Sequence, residues 1–198
     1  MSDLHFPLEH VAVAGKGAGA SPARITVSEL RPTSFVQVGA WPETNELVAS
    51  ELAAVMGVEA PKAYCDARHV DERSLMLTAP GRYLAVSNRP GLHAELAARF
   101  KPEEACVTDL SHARAGVRVE GDPVVEILQK GIAIDFHTSV FPHGKAAQAS
   151  LEALSALVHR RDETVFDLYV FRGFGLSLWH WVTDAALEYG YRVGDPVG

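Results

Sequence analysis

The sequence predicts an α+β fold, two packed α/β plaits with mainly antiparallel sheets. Apolar strands follow one another as pairs joined by turns instead of alternating singly with helices, which is the pattern of antiparallel sheets. Between them lie segments that carry helix start and stop signals. The chain has 198 residues, 47% apolar and 22% charged, enough for one good-sized domain or two small ones sharing a core.

Residues 1–24 read as a flexible arm. Gly15-Lys-Gly-Ala-Gly-Ala-Ser-Pro22 is small and poor in core-forming groups. The first regular segment is the short strand Phe35-Val-Gln-Val38. Trp41-Pro-Glu then opens a helix that runs to Met56, with Pro42 in its first turn, acids near its positive end and Gly57 as its stop. Leu47, Val48, Leu52, Val55 and Met56 fall on one face at helical spacing. Ser74 to Val86 is a hairpin about the Pro80-Gly81 turn, and a second helix fits Pro90 to Phe100. Ala105-Cys-Val-Thr-Asp-Leu110 and Gly116-Val-Arg-Val-Glu120 read as another strand pair. In Gly121 to Gly131, Asp122 is the expected N-cap, Pro123 the first helical residue and Gly131 the left-handed terminator. Alternation of Leu154, Ala156 and Val158 with Ser155, Leu157 and His159 sets strand against the helical propensity of the alanines and leucines in 148–159, and strand is preferred. Thr164 to Phe171 is a strand rich in β-branched and aromatic residues. A closing helix spans 174–189, with Leu178, Val182, Ala185 and Tyr189 on one face, Trp181 beside them and Gly190 at its end. These elements divide into the arm, a first α/β subdomain over 25–103 and a second over 104–198.

Composition excludes several functions. The net charge is −7, and no basic stripe exists to displace counterions from phosphates, so nucleic acid and anionic membrane are poor partners. Arg160-Arg161 is answered at once by Asp162 and Glu163, the pattern of a solvated turn. No apolar run reaches the roughly 20 residues that a membrane helix needs, and the first residues lack the basic and apolar regions of a secretory signal. A cytoplasmic location follows as the expectation. Cys65 and Cys106 are the only cysteines, too few for a disulfide framework, and Cys106 lies in an apolar run where a cysteine serves as a small buried hydrophobe.

Candidate chemistry is sparse. Gly15-Lys-Gly17-Ala-Gly-Ala20 matches the dinucleotide fingerprint formally. Pro22 and the β-branched Ile25-Thr-Val leave no room for the helix whose amides would hold a pyrophosphate. The nine histidines show no spacing that sets two ligands on one helical turn. His137 and His143 share a loop that reads as a turn or contact surface. Ser111 and His112 are adjacent, so their side chains diverge on an extended chain. Asp109 and Asp135 are the most plausible carboxylates for acid–base work, although both occupy positions where aspartate hydrogen-bonds backbone. Trp179 and Trp181 lie about 200° apart on the last helix, so both cannot enter one core. No catalytic, cofactor-binding or metal-ligating residue is assigned.

From Val107 to Gly190 the chain resembles the gamma subunit of heterotetrameric sarcosine oxidase. The resemblance is carried by Asp109-Leu-Ser-His-Ala-Arg114, Val117-Arg-Val-Glu-Gly121, Val125-Glu-Ile-Leu-Gln-Lys-Gly131, Ile134-Asp-Phe-His137, Val140-Phe-Pro-His-Gly144, Ala147-Gln148 and Arg160-Arg-Asp-Glu-Thr-Val-Phe-Asp-Leu168. Leu75 to Val86 resembles the family's hairpin, but Pro80-Gly-Arg-Tyr stands where an acid and a tryptophan are more usual. The resemblance implies a fold like the tetrahydrofolate-binding domain of glycine-cleavage T proteins, and strands over 148–159. It also implies a non-catalytic accessory subunit partnered by alpha, beta and delta subunits, which carry FAD, FMN, NAD and tetrahydrofolate. The complex would demethylate sarcosine oxidatively to glycine and pass the one-carbon unit to tetrahydrofolate. The alternatives are the same subunit in a related complex acting on N-methylglutamate or another N-methyl amino acid, as oxidase or dehydrogenase, and a stand-alone folate-binding protein. The expected subunit contacts are the N-terminal arm and the Pro142-His143 loop.

Overall fold

The computed structural model describes residues 6–198. In chain order its elements are β1 (Gly17–Ala18), β2 (Ile25–Leu30), β3 (Ser34–Ala40), α1 (Asn45–Met56), β4 (Ala67–Val70), β5 (Arg73–Ala79), β6 (Arg82–Ser87), α2 (Leu92–Arg99), β7 (Ala105–Asp109), β8 (Arg114–Glu120), α3 (Val124–Gln129), β9 (Lys145–Leu151), β10 (Leu154–Asp162), β11 (Val165–Phe171), α4 (Gly175–Ala186) and β12 (Tyr191–Val193). This is the expected α+β class, and every strand pairing described is antiparallel except β12 with β2.

The strands form a seven-stranded sheet, β1-β12-β2-β8-β11-β10-β9, and a five-stranded sheet, β4-β5-β6-β3-β7. The chain divides into two compact units. Of the described residues, one comprises 6–31, 113–143 and 148–197, the other 32–112 and 144–147 with Gly198. The expected division into 25–103 and 104–198 is corrected on this point. β2 pairs with β8 and β12, so 25–30 join the seven-stranded sheet. β7 pairs with β3, so 105–109 join the five-stranded one. Consequently β7 and β8, consecutive in sequence and expected to pair, lie in different sheets.

In the five-stranded unit, the apolar faces of α1 and α2 meet alternate residues of the sheet. Val48, Leu52 and Met56 from α1 and Leu92 and Leu96 from α2 join Val36, Val38, Leu75, Leu77, Tyr83 and Ala85 in one core. Leu47, expected on the buried face of α1, is 47% exposed. Gly57 ends α1 at φ 66°, as expected. The Pro80-Gly81 turn closes the β5–β6 hairpin. Gly81 sits at φ 67°, and a side chain there would meet the Ala40 carbonyl oxygen at 2.8 Å.

In the seven-stranded unit, Val117 and Val119 of β8 stand beside Leu168 and Phe166 of β11 on one face, and all four are buried. α4 presents Leu178, Trp179, Val182, Thr183 and Ala186 as its buried face, so the tryptophan that enters the core is Trp179 and not Trp181. α3 begins at Val124 with Pro123 at its cap, and no side chain caps it, which corrects the expected Asp122 cap. Gly131 is not left-handed either. A Cβ there would lie 2.6 Å from Trp181 Cζ2, so that glycine is set by the close approach of an indole. Residues 6–24 are not a loose arm: Leu8 is fully buried, Ala12 nearly so, the Glu29 carboxylate accepts from the Leu8 amide at 2.8 Å, and β1 pairs with β12. Residues 1–5 of the expected arm lie outside the described residues.

Close approach also governs Gly116 in β8, where an added Cβ would lie 2.7 Å from the buried Tyr169 ring. Gly116→Ala is expected to lose about 1–3 kcal/mol of stability through overpacking. Gly131→Ala should lose less, because Trp181 is only half-buried and can swing away. Urea denaturation of the two variants beside the parent protein checks both the size and the order.

Candidate functional site

The polar groups of the seven-stranded unit are concentrated on its central strands. Ser28 of β2, Arg118 of β8, Asp167 of β11 and His159 of β10 are direct cross-strand neighbours, and all four are buried. Arg118 donates from Nε to Asp167 Oδ1 at 2.6 Å and from Nη2 to Oδ2 at 2.9 Å. Arg161 adds Nη1 to the same Oδ2 at 3.4 Å. A forked guanidinium on a carboxylate satisfies both partners geometrically, which a buried pair requires.

Arg160 points elsewhere. Its Nη1 donates to the carbonyls of Phe136 at 2.9 Å and Phe141 at 2.8 Å, and its Nη2 to that of Glu163 at 3.0 Å. Burial pulls its pKa down, and Glu163 and Asp162 act in the opposite direction. The rings of Phe136, Phe141 and Phe166 meet edge to face beneath it. The reading of Arg160-Arg161 as a solvated turn is therefore corrected. Arg160 is 3% exposed and holds the two ends of residues 136–141 to the sheet. Within that loop Asp135 Oδ1 accepts from the His137 amide at 2.9 Å, a backbone role as expected, while His137, Val140 and His143 are exposed.

In the five-stranded unit, Asp109 Oδ1 accepts from the Ser111 amide at 2.9 Å and from its hydroxyl at 2.6 Å, and Ser111 Oγ accepts from the Phe35 amide at 3.1 Å. Ser111 is thus committed to a turn. Cys106, expected to be buried, is exposed, because β7 has one face at the surface. Asp66 is the more structured acid. It accepts from Lys145 Nζ at 2.7 Å and from the amides of Ala63 and Lys62 at 3.0 and 3.2 Å. Burial opposes its charge, but these donors outweigh burial and hold its pKa below the ordinary aspartate value. Among the described residues no group of three or more His, Cys, Asp or Glu side chains could hold a metal ion. The glycine-rich 15–20 segment forms β1 and leads to no helix.

Among the described residues several depressions are large enough for a small molecule or a partner's side chain, one of them, of about 410 Å³, being an open hollow over the turn between Gln148 and Ser155. Another, of about 610 Å³, lies along α4 and is lined by Glu152, His180, Trp181, Asp184 and Tyr191 among others. A third, of about 380 Å³, lies in the five-stranded unit between Asn45, Lys62, Tyr64 and the Pro80-Gly81 turn. The sequence reading missed the Arg118–Asp167 and Asp66–Lys145 pairs. For the first pair a signal was present: a charge inside an otherwise apolar strand (Val117-Arg-Val, Phe166-Asp-Leu) has to be paired when the strand is buried.

The fold is shared with solved structures. The glycine cleavage system aminomethyltransferase T from Bartonella henselae superposes with a TM-score of 0.64 at 13% identity, over 89% of this chain and 56% of that one. A chain of the heterotetrameric sarcosine oxidase from Corynebacterium sp. U-96, solved in complex with pyrrole 2-carboxylate, superposes with a TM-score of 0.82 at 25% identity, over 94% of this chain and 96% of that one. The sarcosine oxidase subunit gamma of Corynebacterium sp. (strain U-96) is 28% identical over 186 residues, 92% of this chain and 90% of that protein. The profile of the sarcosine oxidase, gamma subunit family matches residues 44–188. The chain belongs to that family. Among the described residues no helix is long and apolar enough to cross a membrane.

Removing one member of a buried ion pair strands the other. Arg118→Met or Asp167→Leu alone is expected to cost about 3–5 kcal/mol, and the double variant to recover most of that loss. A double-mutant cycle in urea measures it. Asp66 supplies a pH dependence. Its folded pKa is depressed, so its contribution is present above the unfolded aspartate value and is lost as pH falls through the folded one. Stability should therefore drop below about pH 4, and Asp66→Asn should flatten that acid limb in denaturant titrations at successive pH values.

Proposed function

We propose that this chain is the gamma subunit of a cytoplasmic heterotetrameric sarcosine oxidase, an accessory subunit that completes the complex and contributes no catalytic residue. The single observation that carries this reading is the near end-to-end superposition on a chain of the Corynebacterium heterotetramer, at 94% and 96% coverage. The polar groups described above support it: Asp109, Asp135, Arg160 and Ser111 hold backbone, and Asp167 is spent on Arg118 and Arg161. In this reading alpha, beta and delta subunits carry FAD, FMN, NAD and the folate site, and the complex converts sarcosine to glycine with the one-carbon unit passed to tetrahydrofolate. The loop over 136–143, clamped by Arg160 and exposing Val140, is one surface suited to meeting a partner. A stand-alone folate protein is less well supported, since the chain spans only 56% of the T-protein chain it superposes on.

Co-expression with the other subunits of a heterotetrameric sarcosine oxidase tests the proposal. The expected result is co-purification of an affinity-tagged chain with flavin-coloured partners and sarcosine-dependent electron transfer to oxygen. Elution as a lone 21.4 kDa species in the presence of those subunits would overturn it. The isolated chain is expected to give no saturable micromolar binding in titrations with reduced folate, and such binding would favour the stand-alone reading.

A further inference from the structure

The junction of β11 with α4 places large apolar side chains at the surface. Phe171, Phe174 and Leu176 fall within six residues and are 50%, 48% and 48% exposed. The turn that carries them is held in shape. The Arg172 amide donates to the Ala113 carbonyl at 2.8 Å, and Gly175 packs so tightly that a Cβ there would lie 2.9 Å from that of Ala115. Around Gly173 there is open space, so the turn faces solvent.

Arg114, which opens β8 directly opposite Phe171, lays its guanidinium 4.2 Å from the centre of that ring. Its Nε is buried and finds no hydrogen-bond partner among the described residues. Desolvation lowers its pKa, yet no carboxylate among the described residues is paired with it, whereas Arg118, Arg31 and Arg99 each have one. A guanidinium that is stacked, partly desolvated and short of an acceptor is a cation prepared for an anion, because the stack already fixes the orientation of its donors.

We propose that Arg114 with Phe171, Phe174 and Leu176 forms a docking surface for a carboxylate-bearing apolar segment of a partner subunit in the flavoenzyme complex. The segment's acid meets the guanidinium, and its apolar neighbours cover the phenylalanines and the leucine. A second copy of this chain fits worse. A two-fold contact would bring the same patch against itself and set one Arg114 near the other. The assignment rests on the accessory-subunit reading above.

The test uses the co-expressed complex. Arg114→Glu and Phe174→Ser are each expected to weaken association with the flavoprotein subunits by about tenfold or more, as for a central aromatic or arginine anchor. Arg114→Lys should lose part of the affinity, since it keeps the charge but not the planar stack. Phe174→Ser alters only an exposed side chain, so its melting temperature should match the parent's and keep the result clear of misfolding. Leu47→Ser, at an exposed apolar position on α1, should leave association unchanged. If the parent assembles and both Arg114→Glu and Phe174→Ser assemble equally well, the docking surface is wrong and the subunit reading stands. Failure of the parent chain to assemble overturns both. If the isolated chain sediments as a dimer that Arg114→Glu dissociates, the occupant is a second copy and the assignment to a partner subunit is overturned.

Discussion

The paired guanidinium and carboxylate of Arg118 and Asp167 constrain the seven-stranded unit more tightly than any of its apolar contacts. Hydrophobic burial is tolerant of small displacements, but a forked ion pair in the interior is satisfied in one register only. A slip of β8 against β11 by one residue would turn Arg118 towards the valine and phenylalanine face and leave both charges unpaired at a cost of several kcal/mol. Ser28 and His159 extend the same row to β2 and β10, so the alignment of the central strands follows from one contact. Arg161, reaching the same carboxylate, ties the end of β10 to it.

Arg160 fixes a different part of the unit. By donating to carbonyls at both ends of residues 136–141 it replaces the sheet hydrogen bonds which that stretch lacks, and the Phe166 ring lies against its guanidinium. Arg160 thus explains how residues 136–141 keep a defined shape without regular structure.

The local part of the fold was legible in the sequence. α1, α2, α4 and the β5–β6 hairpin are written in residues that act within a few positions: Pro42 and Gly57 about α1, Pro80-Gly81 in the turn, and the aromatic run of β11. The non-local part was not. β2 and β12 were missed because Ile25–Leu30 and Tyr191–Val193 become strands only through partners far away in sequence, and the pairing of β7 with β3 has no local marker. Gly131, which looked like punctuation, is instead demanded by the Trp181 ring of α4, and Gly116 inside β8 by the Tyr169 ring of β11. The charge run at 160–163 illustrates the same limit: opposite signs side by side suggest solvent, yet Arg160 is held by carbonyls of the 136–141 loop and Arg161 by a carboxylate on β11. The family resemblance and the overall class were recoverable because motif order survives where contact detail is invisible.

One detail of the topology bears on how the protein is made. β12 lies between β1 and β2, pairing with both, yet it emerges from the ribosome only after every other strand of the sheet. Until then the edge of β2 is open and its backbone amides and carbonyls are unpaired, a template for association with a neighbouring nascent chain. Shortening the chain before Tyr191 would make that transient exposure permanent. The order of synthesis makes this edge a natural point for a chaperone or a companion chain to intervene.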